Sequence, residues 1–203
     1  LRYLEESQED TVKSWGFAQK QTGADKLTLG GALSANAHGR GLRFQPFVQD
    51  VESLRLINAG GKIVDRSRTR NQDLFRHVIG GYGLFGLVYS LQLRLVPRQK
   101  VRRHVEILHV RDLLPKLEQQ MQDGATYGDF QFNIDPANPN FLQEGVFSCY
   151  VPVPMNTPIP QNQRKLPAGA WKQLIYFAHQ NKAEAYRRYT DHYRNTHGQV
   201  YWS

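Results

Sequence analysis

Cysteine is nearly absent: Cys149 is the only one in 203 residues. No internal disulfide can form, and a cysteine-based zinc site is excluded. The same scarcity fits a reducing compartment, so the expected location is cytoplasmic. Long apolar runs are missing too; none approaches the roughly 20 residues a membrane-spanning helix needs. Charge is not concentrated either. The chain carries 26 Lys and Arg against 18 Asp and Glu, a net +8. Arg40, Arg43, Arg55, Arg66, Arg68, Arg70 and Arg76 are scattered, with no long run of one sign, which disfavours a nucleic-acid-binding arm. A diffuse basic excess also suits an anionic cofactor or substrate. Leu1-Arg2-Tyr3-Leu4-Glu5-Glu6 has neither an initiator Met nor the pattern of a targeting segment. The expectation is a chain entered in mid-gene.

What is present is ordinary for a globular protein, 40% hydrophobic and 22% charged, and long enough for one or two domains. Pro97 divides it, giving expected domains of 1–97 and 98–203. In the first, residues 1–9 read as the end of a helix and residues 15–23 as a polar connector. Residues 51–57 have strand character, and Asn58-Ala59-Gly60-Gly61 signals a turn into residues 62–65, which makes a hairpin. Asn71 is placed to cap a short helix to about Ile79, with Leu74, Phe75 and Val78 on one side. Residues 87–96 alternate Leu91, Leu93 and Leu95 with Gln92 and Arg94, the period of a strand with one buried face. In the second domain, residues 101–110 read as a strand with Val101, Val105, Ile107 and His109 on one face. Residues 112–123 read as a helix with Leu113, Leu114, Leu117 and Met121 on one stripe and Pro115 in its first turn. Strands at 127–134 and 146–153, a long helix from Trp171 to about Asn195 and a last strand from Gln199 complete the order β-α-β-β-α-β, the split ferredoxin-like unit. The fold class expected is therefore α+β.

Gly81-x-Gly83-x-x-Gly86 matches the dinucleotide fingerprint, and Glu106 even lies where a ribose-binding acid is sought. The context is wrong. That fingerprint needs a strand before the glycines and a helix after them, whereas here a helix precedes and a strand follows. These glycines instead suit close backbone approach. Residues 27–41 are more informative. Their side chains are tiny, with Gly30, Gly31, Gly39 and Gly41 among them, and such a stretch can turn bare backbone N–H groups toward a phosphate. Arg40 and Arg43 add positive charge at its exit. A tightly packed turn in a β-rich core is the competing reading, and His38 fits a ligand-facing donor, a base or a structural histidine.

Taken together, residues 28–41 (Thr28 to Gly41), 50–54, 71–75 and 80–88, followed by 91–97, resemble FAD-linked oxidases of the vanillyl-alcohol-oxidase, or PCMH, type. Gln19-Lys20-Gln21-Thr22-Gly23 is similar to the connector before the first of these. The resemblance spans about Trp15 to Pro97, with several motifs in the right order. It implies that residues 1–97 are the second half of a PCMH-type FAD-binding domain, an antiparallel sheet with helices. The ferredoxin-like part would then open the cap that shapes the substrate pocket. It implies FAD as cofactor, with Gly30, Gly31, Ala32, Ser34, Ala35, Asn36, Ala37, His38 and Gly39 along the pyrophosphate and isoalloxazine. Leu87 and Val88 would meet the adenine end through backbone. His38 matches a histidine of alditol- and aldonolactone-oxidising relatives, and is the one catalytic candidate within these residues. The implied activity is hydride transfer from a substrate alcohol carbon to flavin N5, followed by reoxidation by oxygen or another acceptor. The substrate would be a small molecule such as a sugar, polyol or lactone. The family's first subdomain, which often holds a covalent flavin link, and its C-terminal catalytic remainder have no counterpart here. The chain alone is therefore expected to bind FAD weakly and not to turn over.

A reading from another class is a basic anion- or nucleic-acid-binding module, with Tyr127, Phe130, Phe132 and Phe147 displayed on a sheet face as in RNA binders. Alternation with polar residues instead favours a buried strand face, so nucleic acid is not the expected partner. A third reading is a non-catalytic cap piece that self-associates through exposed apolar surface.

Overall fold

The computed structural model describes residues 2–8, 14–19 and 27–203. Residues 20–23 of the predicted connector lie outside that description. The chain is mixed α+β with antiparallel sheets, and separates into two compact units, Leu1–Arg98 and Gln99–Ser203.

In the first unit, helix α1 (Arg2–Ser7) is followed by β1 (Trp15–Gly16), α2 (Leu29–Ser34), β2 (Val51–Ile57), β3 (Ile63–Ser67), α3 (Gln72–Val78), β4 (Leu87–Leu93) and β5 (Val96–Pro97). Strands β2 and β3 form an antiparallel hairpin. The Asn58 side chain accepts from the N–H groups of Gly60 and Lys62, both at 3.0 Å, and so closes its turn. Strand β4 pairs with the other edge of β2, giving the order β3-β2-β4. Val51, Leu54 and Leu56 of the central strand pack with Leu33, Phe75 and Val78 into one core, against which Leu91 and Leu93 also lie. Two expectations change here. Part of the predicted connector is strand, since β1 pairs with β5. Asn71 precedes α3 in a left-handed conformation (φ 52°) and makes no side-chain cap bond.

The second unit runs β6 (Lys100–His109), α4 (Val110–Gln122), β7 (Tyr127–Phe132), β8 (Glu144–Val153), α5 (Ala168–Gln180), α6 (Lys182–Arg194) and β9 (Val200–Trp202), with strand order β7-β8-β6-β9. Its pairings are all antiparallel. Register divides the sheet into two faces, because directly paired residues point the same way. Val105 pairs with Ser148 and Ile107 with Val146; Val105 and Val146 form a cluster with Tyr193 of α6. His104 pairs with Cys149 and Glu106 with Phe147 on the other face. There Lys116 of α4 bonds Glu106, and Cys149 Sγ donates to Gln120 of α4 at 3.0 Å. Helices therefore cover both faces. Phe130 and Phe132 share the α4 side with Phe147, whereas Tyr127 pairs with Tyr150 on the α6 side. Phe147 is fully buried. The four aromatics thus form no open platform for stacking bases.

Three local expectations are corrected. The single long helix is two, broken at Asn181, whose side chain accepts from the Glu184 N–H at 3.1 Å and caps α6. Helix α4 starts at Val110, so Pro115 sits in its second turn, where it leaves the Arg111 carbonyl without an intrahelical donor; Pro115 is exposed, and water can serve that oxygen. Leu114 is 70% exposed and belongs to no buried stripe.

His104 and His192 both have pKa values below the ordinary imidazole range, in each case chiefly through burial. His197 adds to the shift of His104, and Arg103 to that of His192. The folded unit favours neutral imidazoles, so the unfolded chain takes up protons first as pH falls. Stability from this source is complete above about pH 6.5 and is lost as pH drops through the lowered folded values. Thermal unfolding followed at about pH 7.5 and about pH 5.5 is expected to show a lower midpoint in acid, with a shallower dependence in His104→Gln.

Candidate functional site

The small-residue segment is not a continuous open loop. Thr28 caps α2, its hydroxyl accepting from the Gly31 N–H at 3.0 Å. Helix α2 turns Ala32 and Leu33 into the core. It ends in a Schellman motif: Asn36, in the left-handed conformation (φ 46°), donates to the Leu33 carbonyl, and Ala37 donates to that of Ala32. The N–H groups of Gly31, Ala32, Ala35, Asn36 and Ala37 are therefore used internally. This corrects the expectation of bare backbone along the whole stretch. A Cβ at Gly30 would only make ordinary contact with Val88, whose Cβ would lie 3.4 Å away.

What remains open is narrower. Ala35, Asn36 and His38 are exposed, while Ser34, Ala37 and Gly39 are half-buried. No acceptor among the described residues faces the backbone N–H of His38 or Gly39. His38 Nδ1 lies 3.0 Å from the Gly39 carbonyl oxygen. Behind this surface, Ala37 is held by a bond from the Phe47 N–H at 2.9 Å. The buried Gln19 accepts from the Gly41 N–H at 2.8 Å and donates to the Gln45 carbonyl. Neither Gln19 nor the Thr28 cap figured among the sequence candidates, although Thr28 stands at the classical spacing for a cap three residues before Gly31.

The glycine turn that follows α3 joins this surface directly. Gly80 donates to the Leu33 carbonyl at 3.1 Å and Tyr82 to that of Ser34 at 3.0 Å, which satisfies the carbonyl end of α2. Gly86 (φ 127°) then leads into β4, with Leu87 paired to Ile57 and Val88 to Leu56. Helix α3 precedes these glycines and β4 follows them, the reverse of the dinucleotide fingerprint. Strand β4 is an edge among the described residues, so its backbone groups facing away from β2 open outward. Tyr82, Leu84, Leu87 and Tyr89 are exposed along the same turn and strand. The structure thus brings both predicted segments, 30–39 and 87–88, together through the α2–β4 contact and the turn. Exposed small side chains, two open amides and exposed apolar residues fit a cofactor with a diphosphate and flat rings.

Cys149 has no part in such chemistry. It is fully buried, and burial pushes its thiol up to about 11. A thiol reagent at about pH 8 should leave the folded protein unlabelled and modify it only after denaturation, as expected for a protonated, covered sulfur.

No family model matches the chain. It shares partial homology with several plant dehydrogenases. Cytokinin dehydrogenase 4 of Oryza sativa subsp. japonica is 36% identical over 84 residues, 41% of this chain and 16% of that protein. Cytokinin dehydrogenase 9 of the same organism is 33% identical over 103 residues, 50% of this chain and 20% of the relative. The mitochondrial L-galactono-1,4-lactone dehydrogenase of Arabidopsis thaliana is 26% identical over 105 residues, 51% of this chain and 17% of that protein. The chain spans a fifth or less of the length of these curated relatives.

Proposed function

We propose that this chain is part of an FAD-dependent oxidoreductase of the PCMH type and supplies one wall of its flavin site. The observation that carries the reading is the pair of bonds from Gly80 and Tyr82 to the end of α2. They hold two glycine-rich segments, far apart in sequence, around residues 35–39, of which Ala35, Asn36 and His38 are exposed. Partial homology to dehydrogenases supports the same class.

In this reading the N–H groups of His38 and Gly39 face the diphosphate, with Gly30, Gly31 and Ala32 shaping the backbone behind them. Ser34, Ala35, Asn36 and Ala37 line the rest of that wall. Leu87 and Val88 present the outward edge of β4 to the adenine end. Bound flavin would supply the hydride acceptor for an oxidisable carbon of a sugar, polyol or lactone. His38 is the candidate side chain in this reading for holding or accepting a proton beside it. The first unit is read as the second half of the FAD-binding domain, and the second unit as the start of a cap. The split ferredoxin-like reading of that cap rests on its strand order β7-β8-β6-β9 and departs from a one-sided helix layer, since α4 and α6 lie on opposite faces. The remaining walls of the flavin site are assigned to sequence outside these 203 residues.

The test is the absorption spectrum of this chain within its longer protein. Flavin bands that bleach anaerobically on adding a polyol or lactone are expected. A well-folded, colourless protein that takes up no added FAD would overturn the assignment.

A further inference from the structure

The face of the β3-β2-β4 sheet turned away from α2 carries a second site. Leu54 and Leu56 of β2 point into the core with Leu33; the intervening Ser53 and Arg55 point outward. Ser53 pairs with Ser67 and Gln92, and Arg55 pairs with Asp65 and Ser90. Directly paired residues share a face, so three serines, a glutamine and one Arg–Asp pair stand together. The serines are short, and the face is concave, enclosing about 430 Å³ with Arg70 also on its lining; Arg66 pairs with Leu54 and so belongs to the core face.

Charge in this hollow is unbalanced. Two guanidinium groups, of Arg55 and Arg70, meet one carboxylate, Asp65. Arg55 Nε lies 3.3 Å from Asp65 Oδ1, with both side chains more than half exposed, so the pair is weak and easily exchanged. The Arg70 guanidinium makes no hydrogen bond or ion pair among the described residues.

From this arrangement we propose that the hollow binds a small phosphate monoester with a hydroxylated body, such as a hexose phosphate. Guanidinium forks suit phosphate oxygens, and Ser53, Ser90 and Gln92 offer hydrogen bonds to hydroxyl groups. The volume is in the range of small-molecule sites. A nucleic acid fits less well: the basic groups are confined to one hollow, with an acid at its centre, rather than tracking along a strand. Because the hollow lies on the opposite face of the sheet from α2, this inference stands or falls independently of the flavin reading.

Calorimetric titration of the 203-residue chain with glucose 6-phosphate, inorganic phosphate, glucose and a short single-stranded oligonucleotide tests it. Glucose 6-phosphate is expected to bind, inorganic phosphate more weakly, and glucose not at all. Arg70→Gln and Arg55→Gln should each weaken hexose phosphate binding roughly tenfold, the size of one charge-assisted contact. Arg111→Gln, exposed in the other unit, should leave it unchanged. Arg70 makes no side-chain bond that folding would lose, so its variant reads the site alone. No binding of glucose 6-phosphate, equal binding by wild type and Arg70→Gln, or tight binding confined to the oligonucleotide would each overturn the proposal.

Discussion

In the longer flavin-loaded protein proposed above, Gly39→Val is expected to strip the flavin while leaving the fold of the first unit intact. Gly39 is not in the left-handed region, so valine meets no backbone strain there. Its branched side chain would instead crowd the segment that carries the two amides, of His38 and Gly39, that lack an acceptor among the described residues. A hydrogen bond to a charged group contributes about 1.5–3 kcal/mol, so losing one raises the dissociation constant roughly 10- to 100-fold. Gly31→Val should act on the same surface by another route. A Cβ at residue 31 falls 2.9 Å from Thr28 Oγ1, displacing the cap and costing about 1 kcal/mol of local stability. Purified variants should therefore be colourless, with circular dichroism close to wild type, whereas Cys149→Ser should stay yellow. Full flavin retention in both glycine variants would mean that residues 31 and 39 do not border the cofactor.

Gly86→Val is expected to be the most destabilising single change in the first unit. Residue 86 has φ 127°, a conformation that L side chains rarely adopt. A Cβ there would lie 2.6 Å from the Ile57 carbonyl oxygen and 2.9 Å from Leu56 Cγ. Neither neighbour can yield, because Ile57 is held in the sheet and Leu56 is completely buried. Backbone strain of about 1–3 kcal/mol adds to a comparable overpacking cost of about 1–3 kcal/mol. A sum of about 2–6 kcal/mol is a large fraction of the stability of a domain this size. Chemical denaturation should show the first-unit transition moved to much lower denaturant, with the second unit unchanged. Gly83→Ala is the control: φ is also positive there, but no atom lies within 4 Å of the added Cβ, so only strain remains and the loss should be smaller.

The β2–β3 hairpin and the alternating leucines of β4 were legible because each depends on local signals: turn residues and period two. The order of strands and helices in the second unit was legible for the same reason. Helix α2 was not. Its Gly-Gly pair has poor helix propensity, and the helix exists because Thr28 caps one end, Asn36 closes the other, and Leu33 is buried in the core. Thr28 and Asn36 were both visible in the sequence; the tertiary contact that makes them matter was not. Asn181, with Glu184 three residues on, was a readable cap that would have divided α5 from α6. Leu114 shows the limit of periodicity, since a leucine one step from a half-buried stripe looks alike in sequence but faces water. At the candidate site, the sequence pointed to the right segments but assigned too many of their amides to a ligand. Helix α2 consumes most of them.

Amide hydrogen exchange, compared between flavin-loaded and flavin-stripped longer protein, tests the placement of the cofactor most directly. Slower exchange at His38, Gly39 and the outward amides of β4 on loading, with β2 unchanged, is the predicted result. Unaltered exchange across residues 35–39 and 87–88 in a protein that demonstrably carries flavin would contradict it.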